Sequence, residues 1–137
     1  MYLYHMNQGK QSWHVIYYED QRGKCPAHQF IESRVDREKA KILSLLAALE
    51  EGGPQLPRPY ADFLEDGIHE LRVKLRGDQM RFLYFFCYRD FIIVTHVFTK
   101  NTKRVPPKEI RKAMKLRDDF LVRNRETELR RRVHEDI

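Results

Sequence analysis

Cysteine is scarce in this chain. Cys25 and Cys87 are the only two among 137 residues and stand 62 positions apart, which fits no metal-ligand or redox spacing and implies two reduced thiols rather than a disulfide framework. Glycine and proline are also sparse, six of each, and no stretch repeats or falls to low complexity, which sets aside solenoids, fibres and disordered chains. Long apolar runs are missing as well. The strongest, Phe91 to Phe98, is far short of the ~20 residues a membrane helix needs, so no membrane partner is expected. The amino end, MYLYHMNQGKQSW, lacks the charged start, apolar middle and cleavage site of a secretory signal, and a cytoplasmic protein is the expectation.

The usual catalytic signatures are absent too. His5, His14, His28, His69, His96 and His134 show no H-E-x-x-H or comparable ligand spacing, so no metal is expected. No glycine loop for phosphate, no G-x-G-x-x-G and no G-x-S-x-G elbow occurs, and no cofactor is expected either.

What is present is charge. Residues are 42% hydrophobic and 34% charged, with a formal net charge of +6 and a mean hydropathy of -0.69, as expected of one globular domain spanning residues 1–137 whose partner is acidic, with nucleic acid first. The excess is not spread evenly. Lys and Arg match Asp and Glu at 13 each up to Thr99, whereas the last 38 residues hold 13 cations against 7 carboxylates.

Hydrophobic spacing orders the elements. Trp13 to Tyr18 reads as a first strand, and Pro26 opens a short helix carrying Phe30 and Ile31. Asp36 starts a second helix in which Ile42, Leu43, Leu45, Leu46 and Leu49 form an apolar stripe, stopped by Gly52-Gly53-Pro54. GGPQLPRPY reads as a crossing loop. From Ile68 to Lys100 the pattern turns to strands: Leu71, Val73 and Leu75 face one way, while Arg72, Lys74 and Arg76 face the other. Gly77-Asp78 turns the chain, and Arg81–Cys87 and Phe91–Lys100 complete an antiparallel meander. A last helix begins near Pro106-Pro107 with Ile110, Ala113, Met114 and Leu121 on one side. The core is expected over about residues 13–124, with 125–137 a basic helical tail too thin in apolar residues to avoid fraying.

Three cations on one strand face, with Arg81 just across a tight turn, suggest a binding site. One reading is a solvated outer face. The other is an anion among the side chains, because like charges at this spacing repel unless something offsets them. Lys100, followed by Lys103 and Arg104, closes the cluster. Cations without a metal suit phosphoryl chemistry on RNA, which brings its own 2′-hydroxyl nucleophile. His96 is the strand histidine nearest in sequence, either a base for this chemistry or a core residue.

HELRVKLRGDQMRFLYFF, IIVTHVFTKNTK and PPKEIRKA, in the order strand, two helices, meander, helix, resemble the RelE superfamily of type II toxins, in particular its HigB-like, phage-derived branch. The similarity covers roughly Trp13 to Asn124. It implies an α+β fold: a small antiparallel sheet with a helical hairpin on one face and a C-terminal helix. It also implies RNA on the opposite face, and a metal-independent endoribonuclease that cuts mRNA on the ribosome and is neutralised by a cognate antitoxin, a helix-turn-helix protein. The resemblance assigns Arg81 to the transition-state phosphate and Arg72 and Lys74 to backbone orientation and proton transfer. Lys100 goes to the leaving side, with Arg76, Lys103 and Arg104 as RNA contacts. No tyrosine follows Tyr88, so the late tyrosine that many members use as base or stacking group has no counterpart, and His96 is the alternative that some HigB-like members use. Two rival readings stay open: a RelE-fold module that grips RNA or the ribosome without cutting, and a DNA-binding regulator.

Overall fold

The computed structural model describes residues 13–135. Five strands form one sheet in the order β1-β5-β4-β3-β2, with β1 His14–Tyr17, β2 Ala61–Glu65, β3 Ile68–Leu75, β4 Asp78–Cys87 and β5 Phe91–Thr99. Helices α1 (Pro26–Glu32) and α2 (Asp36–Gly52) follow β1; α3 (Pro107–Arg123) and α4 (Glu126–Glu135) follow β5. The chain is thus α+β, with the expected helical hairpin and C-terminal helix.

The sheet departs from the expectation in three ways. It is mixed rather than wholly antiparallel, because β1 runs parallel to β5, an arrangement open to strands joined through helices and not through a hairpin. It has a further strand, β2, where the proline-rich stretch gave no strand signal; β2 is a short edge strand with alternating exposure, and edge strands tolerate polar residues. And helices cover both faces.

Strand alternation decides which helix each face meets. Leu71, Val73, Leu75, Phe82, Tyr84, Ile92 and Val94 pack against Ala27 and Ile31 of α1 and Ile42, Leu46 and Leu49 of α2. The other face sends Ile68, Leu83, Phe85, Phe91 and Ile93 against Ile110, Ala113 and Phe120 of α3 and Leu129 of α4.

A bulge on β5 changes the pattern midway. Leu83 pairs with His96 but Tyr84 pairs with Val94, so Thr95 is the extra residue, and from there each side chain changes face. Without it, His96 and Phe98 would follow Ile92 and Val94 under α1 and α2. With it, Val97 takes that face, and His96 and Phe98 stand beside Leu83 and Arg81 on the α3 side.

The tail expected to fray forms α4. Apolar content is thin, but Leu129 is 3% exposed, and Arg130 donates to the Tyr88 carbonyl and to Asp90 Oδ1, each at 2.7 Å, while its guanidinium lies 5.0 Å from the Phe91 ring centre. Arg130 first among its neighbours holds the Asp90 carboxyl below the usual range. Charge and one buried leucine thus seat a helix whose hydrophobic stripe alone is weak. Leu129→Ala should therefore cost about 2–5 kcal/mol in urea unfolding, whereas a frayed tail would lose less than about 0.5 kcal/mol.

His96 ties β5 to α3. Its Nε2 lies 3.0 Å from Glu109 Oε1 and its Nδ1 lies 3.0 Å from Thr95 Oγ1. Burial lowers the imidazole pKa, opposed by the hydrogen bond to Glu109, and the Thr95 hydroxyl donates to the Leu83 carbonyl at 3.2 Å. A histidine held below its unfolded value of about 6.5 contributes stability that is complete above that pH and is lost as pH falls through the folded pKa. His69, also lowered by burial, adds in the same direction. Stability measured by urea unfolding between pH 7.5 and 5.5 should fall toward acid and fall less in His96→Gln; equal slopes would refute the assignment.

Candidate nucleic-acid interface

The site grows from strand register. Arg72 pairs with Arg81, and Arg81 pairs with Phe98; on the outer side the Arg72 N–H donates to the Tyr60 carbonyl at 2.8 Å, which extends the β2 register by one residue. One sheet face therefore carries a row Tyr60, Arg72, Arg81, Phe98 across four neighbouring strand positions about 4.8 Å apart. The next row runs Asp62, Glu70, Leu83, His96. On the far side lie Lys74 and Gln79.

The second row supplies what the sequence reading missed. Glu70, 3% exposed, sits between the two arginines. Its Oε2 accepts from Arg72 Nε at 3.0 Å and lies 2.9 Å from Arg72 Nη2. Its Oε1 is 3.0 Å from Arg81 Nε, yet neither atom has a well-aligned hydrogen bond, so that half of the contact is charge attraction. Asp62 Oδ2 bridges Arg72 at 3.3 Å and Arg58 at 2.8 Å. Burial alone would raise the Asp62 pKa, but Arg58 and then Arg72 bring it below the ordinary value. Instead of bare like charges there is an alternating chain, Arg58, Asp62, Arg72, Glu70, Arg81. The signal was legible: Glu70 is two residues before Arg72, on the same strand face.

Arg81 is 6% exposed. Burial pulls its guanidinium pKa down, Glu70 pushes it back up and Arg72 lowers it again; its Nη1 donates to the Met80 carbonyl at 3.1 Å. Lys74 is on the expected face and exposed. Arg76 is not on the strand: β3 ends at Leu75, and Arg76 occupies the turn with φ 23°, followed by Gly77 at φ 91°. Two successive positive φ values make the tight hairpin turn that matches strand twist, and they take Arg76 off the shared row. His96, with both ring nitrogens engaged beneath α3, is apart from the open groove.

Lys100, Lys103 and Arg104 meet Arg72 and Glu70 around a groove of about 430 Å³, which Asp62, Val105 and Ile110 also line. Among the described residues no ion pair engages Lys74, Lys100, Lys103 or Arg104. A larger groove of about 620 Å³ lies elsewhere, at His14, Phe91, Arg130, Arg131, Val133, His134 and Glu135; it holds two arginines against the four Lys and Arg side chains of the smaller groove, and the chemistry favours the smaller one. Among the described residues no three His, Cys, Asp or Glu side chains gather as a metal site requires, and no helix is long and apolar enough to cross a membrane.

No curated protein matches the chain. Residues 29–118 match the family described as Phage derived protein Gp49-like (DUF891), a span that runs from within α1 to within α3 and takes in the whole charged row and the groove beside it. The chain belongs to this phage-derived, Gp49-like family.

Proposed function

We propose that this protein is the toxin of a toxin–antitoxin pair, related to the RelE and HigB toxins, and that it cleaves mRNA on the ribosome. The observation that carries the reading is the row where half-buried Arg72 stands opposite buried Arg81 and a groove continues to Lys100, Lys103 and Arg104.

The chemistry needs few parts. The 2′-oxygen of the substrate attacks the adjacent phosphorus, the bond to the 5′-oxygen breaks, and the products are a 2′,3′-cyclic phosphate and a 5′-hydroxyl. Charge grows on the non-bridging oxygens, where donors fixed in advance lower the barrier most. Arg81 and Arg72 are fixed by Glu70 and Asp62. Lys74, on the same face, takes the proton of the attacking hydroxyl in its free-amine form, and the Lys100 ammonium gives a proton to the leaving 5′-oxygen. His96 takes a positioning role here, fixing Glu109 and with it the start of α3. A helix-turn-helix antitoxin would neutralise the protein, and its binding would compete with RNA where the two share this face.

One observation favours the rival in which RNA is gripped but not cut. Both arginines already have carboxylate partners, so an incoming phosphate must compete with Glu70 and Asp62.

Cleavage decides between them. Induction of the wild type should arrest growth and give new 5′ ends in primer extension. Arg81→Ala should lower cleavage by about 10²-fold or more, and Lys100→Ala, at a half-buried position with no ion pair among the described residues, should lower it with the melting temperature unchanged. Growth arrest without new 5′ ends would establish the binding module, and full activity in both variants would overturn the site.

A further inference from the structure

Arg72 stands where two grooves meet. One is the cationic groove of Lys100, Lys103 and Arg104. The other, about 580 Å³, has Tyr60, Pro59 and Leu45 in its wall, with Arg72, Lys74, Gln79 and Arg81 along it. The first suits a phosphate chain; the second adds an aromatic ring and apolar surface to the same pair of arginines.

Tyr60 is 48% exposed, and among the described residues its ring makes no aromatic contact and its hydroxyl no hydrogen bond. Its backbone, by contrast, is held by the bond from Arg72 N–H. A ring fixed at its root, half exposed and one strand away from paired guanidiniums can hold an unpaired base beside its own phosphate. Gln79, across the strand pair from Lys74, brings an amide that can both donate and accept at a base edge.

We infer that the groove beside Tyr60 is a nucleobase pocket: Tyr60 stacks one unpaired base next to the phosphate that Arg72 and Arg81 hold, and so selects single-stranded RNA. This rests on the RNA-cleavage reading and adds the residue that chooses the substrate. Duplex RNA keeps its bases stacked inside the helix and can use only the cationic groove. Stacking adds no charge, so Tyr60 contributes affinity without changing the number of phosphates neutralised.

The full-length protein can be titrated with a fluorescent single-stranded RNA bearing 2′-O-methyl groups, which blocks cleavage, and with a duplex of the same sequence. Tyr60→Ala and Tyr60→Leu should each weaken single-strand binding by about tenfold or more, while Tyr60→Phe keeps it. The slope of affinity against salt should be the same in all four proteins, and duplex binding should not change. A purely structural role would instead lower the melting temperature and weaken both RNAs alike, which would overturn the inference. So would wild-type affinity in Tyr60→Ala. A wild type that gives no new 5′ ends after induction would defeat the cleavage reading itself, whereas a wild type that cuts RNA while Tyr60→Ala binds the single strand unchanged defeats only the pocket.

Discussion

Two guanidinium groups can share one sheet face on adjacent strands because the Glu70 carboxylate lies between them. Strand spacing brings Arg72 and Arg81 within a few ångströms, where like charges destabilise a sheet, and Arg81 is almost fully buried. A buried charge left unpaired costs several kcal/mol, and an ion pair in the same place recovers much of that. Glu70 faces both arginines from one position, and Asp62 and Arg58 extend the alternation to the sheet edge. Removing Glu70 would leave two buried or half-buried cations facing each other. The register of β2, β3 and β4 at this end of the sheet therefore depends on a carboxylate as much as on hydrophobic alternation.

That constraint explains why the α3 face is divided. Toward β5 and the turn before it, Leu83, Phe85, Phe91 and Ile93 bury themselves under α3 and α4. Toward the β3–β4 turn the same face carries Arg72, Lys74 and Gln79 with Arg81 buried beside them, and a covering helix would have to desolvate Lys74, which has no ion pair among the described residues. His96 and Glu109 stand near the boundary, and their contact sets where α3 begins to cover the sheet. The bulge at Thr95 is what delivers His96 to that boundary. A one-residue insertion thus separates the covered half of the face from the open half.

Much of this was legible in residue order, and the misses have physical causes. The alternation of Leu71, Val73 and Leu75 against Arg72 and Lys74 requires no tertiary information, because one strand face must be dry and the other can be wet. The spacing of Ile42, Leu46 and Leu49 places α2 in the same way. β2 was hidden because an edge strand needs neither continuous apolar residues nor freedom from nearby prolines. The bulge was hidden because it is a property of the pairing of two strands: along β5 alone, Ile92, Val94, His96 and Phe98 look like one face. The helical tail was expected, but the seating of α4 was hidden because Arg130 gains its hold from Asp90 and the Tyr88 carbonyl, some 40 residues away. Glu70 could have been read from its spacing to Arg72; attention to the cations alone passed over it.

The net positive charge is best understood through pairing, not through count. Arg58, Arg72 and Arg81 have carboxylate partners, so they contribute little long-range field but are held in place, which is what close donors to a reacting phosphate require. Lys103 and Arg104, together with Lys108, Arg111, Lys112 and Lys115 along α3, are exposed and Lys100 is half-buried, and Glu109, the one acidic residue in that stretch, is turned inward to His96. These unneutralised cations supply the field that draws a polyanion from a distance of about a Debye length. The excess of charge after Thr99 and the balanced charge before it are then two parts of one device. Under the proposed function the outlying cations would gather the nucleic acid, and the arginines paired with Glu70 and Asp62 would hold it at close range.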